Sequence, residues 1–259
     1  MALDKSPFDK HPPISHLDEE GIHSLRKKTK QLRAQLQLLR ELEGKQQDTE
    51  HLRQSVKELA RALAQQRDAD VLFALLQELL DNSDDTEVNA LLRDAQVSLG
   101  RPKLPHTDLE KIALLVNEID KQGVNLNRLK YPDTDINRVL ENRLKILCSA
   151  GHVLLDSRDW EALHDWRKQV KKLMYQYALK PALSPRDFFV HEHLDGLGSI
   201  LGKINDFTVL EQFLRELEKS YTRVHTMLVF ERLYALITRL RDQKIELAKQ
   251  LFGAIRHLQ

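Results

Sequence analysis

The feature that most constrains the fold of this chain is a segment that occurs twice, once in each half. The first copy reads IHSLRKKTKQLRAQL and the second LHDWRKQVKKLMYQY, so that His23 aligns with His164 at an offset of 141 residues. A second match follows in the same order: LAQQRDADVL from Leu63 corresponds to LGKINDFTVL from Leu201, at an offset of 138 residues. Because the two offsets are so similar, we expect two related halves built from the same elements.

The residue pattern around these segments is helical. Nine glycines and eight prolines in 259 residues leave room for long helices. Apolar residues recur at three- and four-residue spacing, as in Leu25, Leu32, Leu36 and Leu39 and in Leu210, Phe213, Leu214 and Leu217. No alternating strand pattern and no hairpin signal interrupts them. We therefore predict an all-α fold of about ten helices, arranged as two pseudo-symmetric bundles that form one compact unit with a basic groove.

The proline and glycine positions suggest where the parts of the chain begin. We predict a flexible leader over residues 1–14 and a single domain over residues 15–259. Within that domain the N-terminal half covers about 15–122 and the C-terminal half about 133–259, with the join in GVNLNRLKYPD.

The sequence also bears on location. No stretch approaches the ~20 apolar residues that a membrane-spanning helix needs. The start of the chain, MALDKSPFDKHPPISHLDEE, has neither the apolar run nor the cleavage pattern of a secretory signal. Cys148 is the single cysteine, which excludes an internal disulfide and a cysteine-rich metal site. We expect a cytoplasmic protein with no membrane contact.

The first copy of the repeated segment places its basic residues on one helical face. At about 100° per residue, positions +0, +3, +7 and +10 fall within an arc of about 80°. The residues there are His23, Arg26, Lys30 and Arg33, with Lys27 at the border. A separate stripe suited to the core is formed by Leu25, Thr29, Leu32 and Leu36.

The second copy repeats this division between a basic face and a core stripe. The basic face contains His164, Arg167 and Lys171, flanked by Lys168 and Lys172. The core stripe contains Trp166, Val170, Leu173 and Tyr177.

A row of cations on one helical face destabilises the helix unless carboxylates or a bound polyanion compensate it. Arginine offers a planar fork to a phosphate, lysine a mobile charge, and histidine a donor whose charge depends on pH. Two such helices brought together by pseudo-symmetry would line a long groove, which suits a linear polyphosphate better than a single phosphate. Arg67 and Lys203 lie in the second pair of matching segments and are expected to extend the groove.

Polar residues in the second pair of matching segments predict helix starts. Asp68 and Asp70, and likewise Asn205 and Asp206, precede apolar periodic runs and are interpreted as helix N-caps. A second role, in orienting lysines of the groove, stays open.

The segments HSLRKKTKQLR, HDWRKQVKKLMY, RDADV and LGKINDFTVL resemble the CHAD family, the "conserved histidine α-helical domain", over nearly the whole chain from about Ser15. The resemblance implies two pseudo-symmetric helical bundles and inorganic polyphosphate bound in a basic channel. Carried over by position, the contacts are His23, Arg26, Lys27, Lys30, Arg33, His164, Arg167, Lys168, Lys171 and Lys172. Met174 departs from the pattern, since a basic residue is expected there.

We see no nucleophile–base pair and no metal cage, so we predict a non-catalytic module without cofactor or metal, whose partner is polyphosphate, a similar polyanion or a polyphosphate granule.

Three alternatives stay open. Glu20–His23 and Glu161–His164 are ExxH pairs of the kind found in di-iron bundles, although the neighbouring cations would repel metal ions. A basic groove also fits RNA, but aromatic residues for base stacking are scarce on this face. The third alternative is a structural interaction module.

Overall fold

The computed structural model describes residues 19–43, 50–100, 106–123, 133–178, 180 and 183–257. Over these ranges the chain forms nine helices and no strand, which confirms the all-α prediction. The helices are α1 (Glu19–Glu43), α2 (Glu50–Ala62), α3 (Ala64–Asp81), α4 (Thr86–Leu99), α5 (His106–Gly123), α6 (Asp133–Ser157), α7 (Trp160–Tyr177), α8 (Pro185–Glu218) and α9 (Val224–Arg256). None of the described helices combines the length and the apolar character that crossing a membrane requires. The predicted leader and the predicted join lie outside the described residues, apart from Gly123 at the end of α5 and Asp133 at the start of α6.

The described residues divide into two compact units. Unit 1 contains α1, α2, α5, the first part of α6, the end of α7 and the start of α8. Unit 2 contains α3 from Asp68 onward, α4, α9 and the remaining parts of α6, α7 and α8. Both units therefore draw on both halves of the sequence. That the sequence consists of two related halves stays a prediction, because a division into compact units does not test an internal repeat.

Helix boundaries follow the spacing of the matching segments. α1 begins at Glu19 and α7 at Trp160, which is the offset of His23 from His164. α4 begins at Thr86 and α9 at Val224, the offset of the second match. The internal repeat itself stays a prediction.

The core of unit 1 is built by the apolar stripes of α1, α2 and α5. These stripes arise because each helix carries apolar residues at three- and four-residue spacing on one side. The buried members are Ile22, Leu25, Leu32, Leu36, Leu52, Val56, Leu59, Leu63, Ile112, Leu115, Val116 and Ile119. The basic residues of α1 are therefore displayed on a helix that is fixed by its opposite side.

The core of unit 2 joins α3 and α4 to the second part of α8 and the first part of α9. Leucines dominate it, and the two largest side chains are Phe207 and Phe230, both fully buried. α7 is anchored in the same unit by Trp166, which donates from Nε1 to the Leu147 carbonyl at 3.2 Å and meets Phe252 edge to face, with ring centroids 5.5 Å apart. This anchor leaves the other side of α7 available to polar residues.

The start of α8 is a capping box in unit 1. The Asp187 amide donates to Ser184 Oγ at 3.1 Å, and the Ser184 amide donates to Asp187 Oδ2 at 3.1 Å. Pro185 occupies the first helical position, where the missing N–H group costs nothing. Lys180 forms an ion pair with the same carboxylate, so that this start of α8 is tied to the residues that follow α7.

Candidate functional site

The basic face of α1 consists of His23, Arg26, Lys27, Lys30 and Arg33, and the structure places it away from the core of unit 1. Arg26 is partly buried and the other four residues are exposed. The opposite stripe of Leu25, Thr29, Leu32 and Leu36 is buried. The helical register inferred from the sequence is therefore confirmed.

The positive charges of α1 are not balanced by acidic residues within the same stretch of helix. From Gly21 to Arg40 the chain contains six lysines and arginines and not one aspartate or glutamate. Cations three and four residues apart repel each other, so an anion bound along this stretch would relieve that repulsion.

Arg26 has a structural contact as well as a place on the α1 face. Its Nη1 donates to the carbonyl of Leu63, the residue that separates α2 from α3. The Leu63 amide in turn donates to the Leu59 carbonyl at 3.1 Å, as in a last helical turn. The guanidinium therefore neutralises the negative end of the α2 dipole. Replacing Arg26 would cost stability in addition to any effect on binding.

The basic face of α7 begins in unit 2 with His164, Arg167 and Lys168, and Arg167 is fitted closely against α8. A methyl group built on Gly202 would come within 3.3 Å of both Nε and Nη2 of Arg167. The guanidinium thus lies over the bare backbone of a buried glycine, where a larger residue would crowd it. Arg26 and Arg167, which align in the sequence, reach segments that also align, around Leu63 and Gly202.

His164 is partly buried beside Arg167, and the side chain of Asn205 on α8 acts on its pKa. Burial lowers the pKa of His164 below its ordinary value of 6.5, and the charges of Lys168 and Arg167 lower it further, against the opposite effects of Asn205 and Asp165. A phosphate at this position would reverse the balance, because a negative charge favours the imidazolium form.

Two further predicted cations of unit 2 have carboxylate partners. Lys168 is paired with Asp165 at 2.8 Å on the exposed side of α7. Lys203, predicted to extend the groove, forms an ion pair with Glu78 and also lies over the Phe207 ring at 5.6 Å. A polyanion would have to compete with these carboxylates.

The α7 face continues in unit 1 with Lys171 and Lys172, both partly buried. Met174, at the position where a basic residue is expected, is buried, whereas its counterpart Arg33 is exposed. The apolar residue therefore belongs to the packed side of α7. The core stripe inferred for α7 is confirmed, since Trp166, Val170, Leu173 and Tyr177 are all buried.

Unit 1 adds a cation that sequence reasoning missed. Arg143 on α6 contributes to the electrostatics of Lys172, forms an ion pair with Glu41, and donates to the Gln176 side-chain oxygen. Arg143 lies outside the repeated segments, so no pattern in the sequence singles it out. Only the packing of α6 against the chain's other helices in unit 1 could reveal it.

The predicted N-cap role of Asn205 and Asp206 is wrong, because both residues lie in the interior of α8. Asn205 instead acts on His164, whose pKa it raises. Asp68 and Asp70 lie inside α3 rather than at its start, and their side chains, like that of Arg67, lie outside the described residues. The common groove between the two basic faces stays a prediction.

The ExxH pairs do not form part of a larger ligand set in the described part of the chain, where no group of three or more His, Cys, Asp or Glu residues could hold a metal ion. Comparison with known proteins gave one finding. A family model described as CHAD domain matches residues 8–215, which is well over half of the chain. No curated protein and no solved structure matches.

Proposed function

Because this chain belongs to the CHAD family, we propose that it binds inorganic polyphosphate through its basic faces and catalyses no reaction on it. Membership of the family is consistent with polyphosphate binding. The partner on this proposal is a linear polyanion, and the consequence of binding is localisation to cytoplasmic polyphosphate granules or regulation by the polymer.

The observation that carries the proposal is the uninterrupted positive charge of α1. Six lysines and arginines between Gly21 and Arg40, with no acidic residue among them, are displayed by a helix whose other side is packed into a core. A polymer with one negative charge on each repeating unit is the natural complement to such a row of charges.

Unit 2 supports the proposal in a different way, through residues held in place before a ligand arrives. Arg167 lies against Gly202, and His164 is partly buried beside it. Side chains that are already ordered lose less conformational entropy on binding, so each contact contributes more to affinity.

The proposal is tested by titrating the protein with long-chain inorganic polyphosphate in a calorimeter at two salt concentrations. We expect binding that weakens steeply as salt rises, because neutralised phosphates release counterions. The decisive variant replaces Lys27, Lys30 and Arg33 by glutamine. If all three contact phosphates, the slope of log K against log salt should fall by about 2, by analogy with single-stranded nucleic acids.

The matched control replaces Arg53, Lys57 and Arg61 by glutamine. These residues are exposed on α2 in the same unit, and their replacement removes the same charge. We expect this variant to retain most of the affinity and the salt slope. Equal losses in the two triple variants would contradict the proposal. Effective competition by RNA at equal phosphate concentration would reassign the ligand to nucleic acid.

A further inference from the structure

A second cluster of cations lies in unit 1, where Arg143 on α6 reaches Gln176 on α7, one helical turn after Lys172. Arg143 is largely buried, with 15% of its side chain exposed. Its guanidinium contacts the carboxylate of Glu41 at the end of α1, whose side chain is 43% exposed. Glu41 therefore forms an ion pair with one of the two cations, Arg143, and its carboxylate is the most accessible member of the group.

The guanidinium of Arg143 is held in place by a buried amide. Gln176 accepts a hydrogen bond from Arg143 Nη1 through Oε1 and donates from Nε2 to the Ala34 carbonyl at 2.9 Å. Gln176 is completely buried, so its orientation is set by these two contacts. Arg143 is thus positioned by the fold independently of Glu41.

Lys172 is incompletely compensated. No carboxylate lies within ion-pair distance of its ammonium among the residues that the structure describes. Burial lowers the pKa of Lys172, the positive charge of Arg143 lowers it further, and Glu41 opposes them from a distance. An anion placed between the two cations would relieve this repulsion, since each opposite charge within a few ångströms favours the charged form of both.

We propose that Arg143 and Lys172 form a phosphate subsite and that Glu41 is its internal competitor, occupying Arg143 until a phosphate group displaces it. The inference rests on the proposed function, since the ligand is a unit of the same polyphosphate. Glu41 is suited to this role because it is half exposed and lies at the end of a helix. Its side chain can rotate into solvent when a phosphate group displaces it. Arg143 remains in place because Gln176 holds it.

The test is the affinity of Glu41→Gln for long-chain polyphosphate, measured by calorimetry against the wild-type protein. The substitution removes the competing charge and its repulsion of phosphate. A partly exposed ion pair corresponds to a severalfold factor in an equilibrium constant, so we expect binding to tighten roughly threefold to tenfold.

The matched control is Glu50→Gln. Glu50 forms an exposed ion pair with Arg53 at 2.6 Å in the same unit, so the control removes one carboxylate and breaks one Glu–Arg pair elsewhere. We expect it to change affinity by less than about twofold. Equal effects of the two substitutions would overturn the inference and leave the proposed function standing, whereas a wild-type protein that does not bind polyphosphate overturns both.

A double substitution assigns the effect to the subsite. In an Arg143→Gln background the gain from Glu41→Gln should disappear, because no guanidinium is left to be uncovered. A persisting gain would overturn the assignment to Arg143. If Arg143→Gln does not fold, as judged by its thermal unfolding, Lys172→Gln on the partly buried lysine replaces it, with the expectation that the gain is reduced.

Discussion

At the residue scale, glycines inside helices determine how closely side chains approach the backbone. A Cβ on Gly202 would lie 3.3 Å from the Arg167 guanidinium, a Cβ on Gly151 would lie 2.5 Å from Trp166 and Phe252, and a Cβ on Gly253 would meet nothing within 4 Å. The sequence shows three glycines in helical patterns and cannot distinguish these surroundings. The difference is a property of packing alone.

We expect Gly202→Ala to weaken polyphosphate binding roughly twofold to tenfold, because the new methyl group displaces the arginine fork from its position. Gly253→Ala is the control and should leave binding unchanged. Both substitutions remove the entropic cost of a helical glycine, and at Gly253 this should stabilise the protein by up to about 1 kcal/mol. Calorimetric titration and thermal unfolding measure the two effects. If Gly202→Ala binds polyphosphate as tightly as the wild-type protein, Arg167 is not part of the binding face.

The second prediction at this scale concerns His164. Its pKa is lowered in the unbound protein, by burial first and by Lys168 and Arg167 next. A bound phosphate raises that pKa, so binding takes up a proton and affinity must increase as pH falls. The increase should continue below pH 6.5, the ordinary value for histidine.

Titrations of the wild-type protein and of His164→Gln between about pH 8 and about pH 5.5 measure this linkage. Because the same polymer is used for both proteins, its own titration cancels in the comparison. We expect a smaller gain on acidification in the variant. Parallel pH profiles would show that His164 does not touch the ligand.

At the element scale, the two copies of the repeated segment were predictable in detail. The spacing of apolar residues was enough to predict the buried stripes of α1 and α7. A helix that packs on a core buries one side, and the apolar residues mark that side. The helix start predicted at Asn205 failed for a physical reason. The aligned position in the first half follows a break at Leu63, whereas α8 runs through without interruption. Polar residues inside a helix can serve side-chain contacts as well as caps, and local sequence does not separate the two.

The capping box of α8 supports a prediction about stability. Burial alone would raise the pKa of Asp187, but hydrogen bonds from Lys180 and from the hydroxyl and amide of Ser184 lower it. Only 8% of the Asp187 side chain and 11% of the Lys180 side chain are exposed. Asp187→Asn leaves this lysine without its counter-charge and should cost about 3 kcal/mol of unfolding free energy at neutral pH.

The pH dependence follows from the sign of that shift. A carboxyl whose folded-state pKa is depressed stabilises the fold above its unfolded-state pKa, and loses this contribution as pH falls through the folded-state value. The difference between the wild-type protein and Asp187→Asn, measured by urea unfolding, should therefore shrink below about pH 4. Glu216→Gln, in an exposed pair with Lys219, is the control and should change little at any pH. A constant difference across this range would contradict the assignment.

At the scale of the whole molecule, the formal net charge of +1 conceals the distribution of charge. Acidic residues are absent from the central part of α1 and frequent elsewhere. The net charge of the whole chain therefore underestimates the local positive charge that a polyanion would meet at α1. The order of charges along the chain was enough to predict the basic faces. The place of Arg143, the carboxylate partners of Lys168 and Lys203, and the support from Gly202 depend on which helices pack together, which the order of residues does not specify.

The division of α6, α7 and α8 between both compact units has a consequence for how the protein can be dissected. A cut in residues 124–132 would separate α3 and α4 from α8 and α9, which share the core of unit 2. We expect the first fragment to keep the core that α1, α2 and α5 form. We expect α3 and α4 to pack only when the second fragment is added, so that the mixture gains helical circular dichroism over the sum of the separate fragments. A mixture whose circular dichroism equals the sum of the separate fragments would contradict this expectation. The two halves that the sequence predicts would then not correspond to two parts that fold independently, because the core of unit 2 needs helices from both.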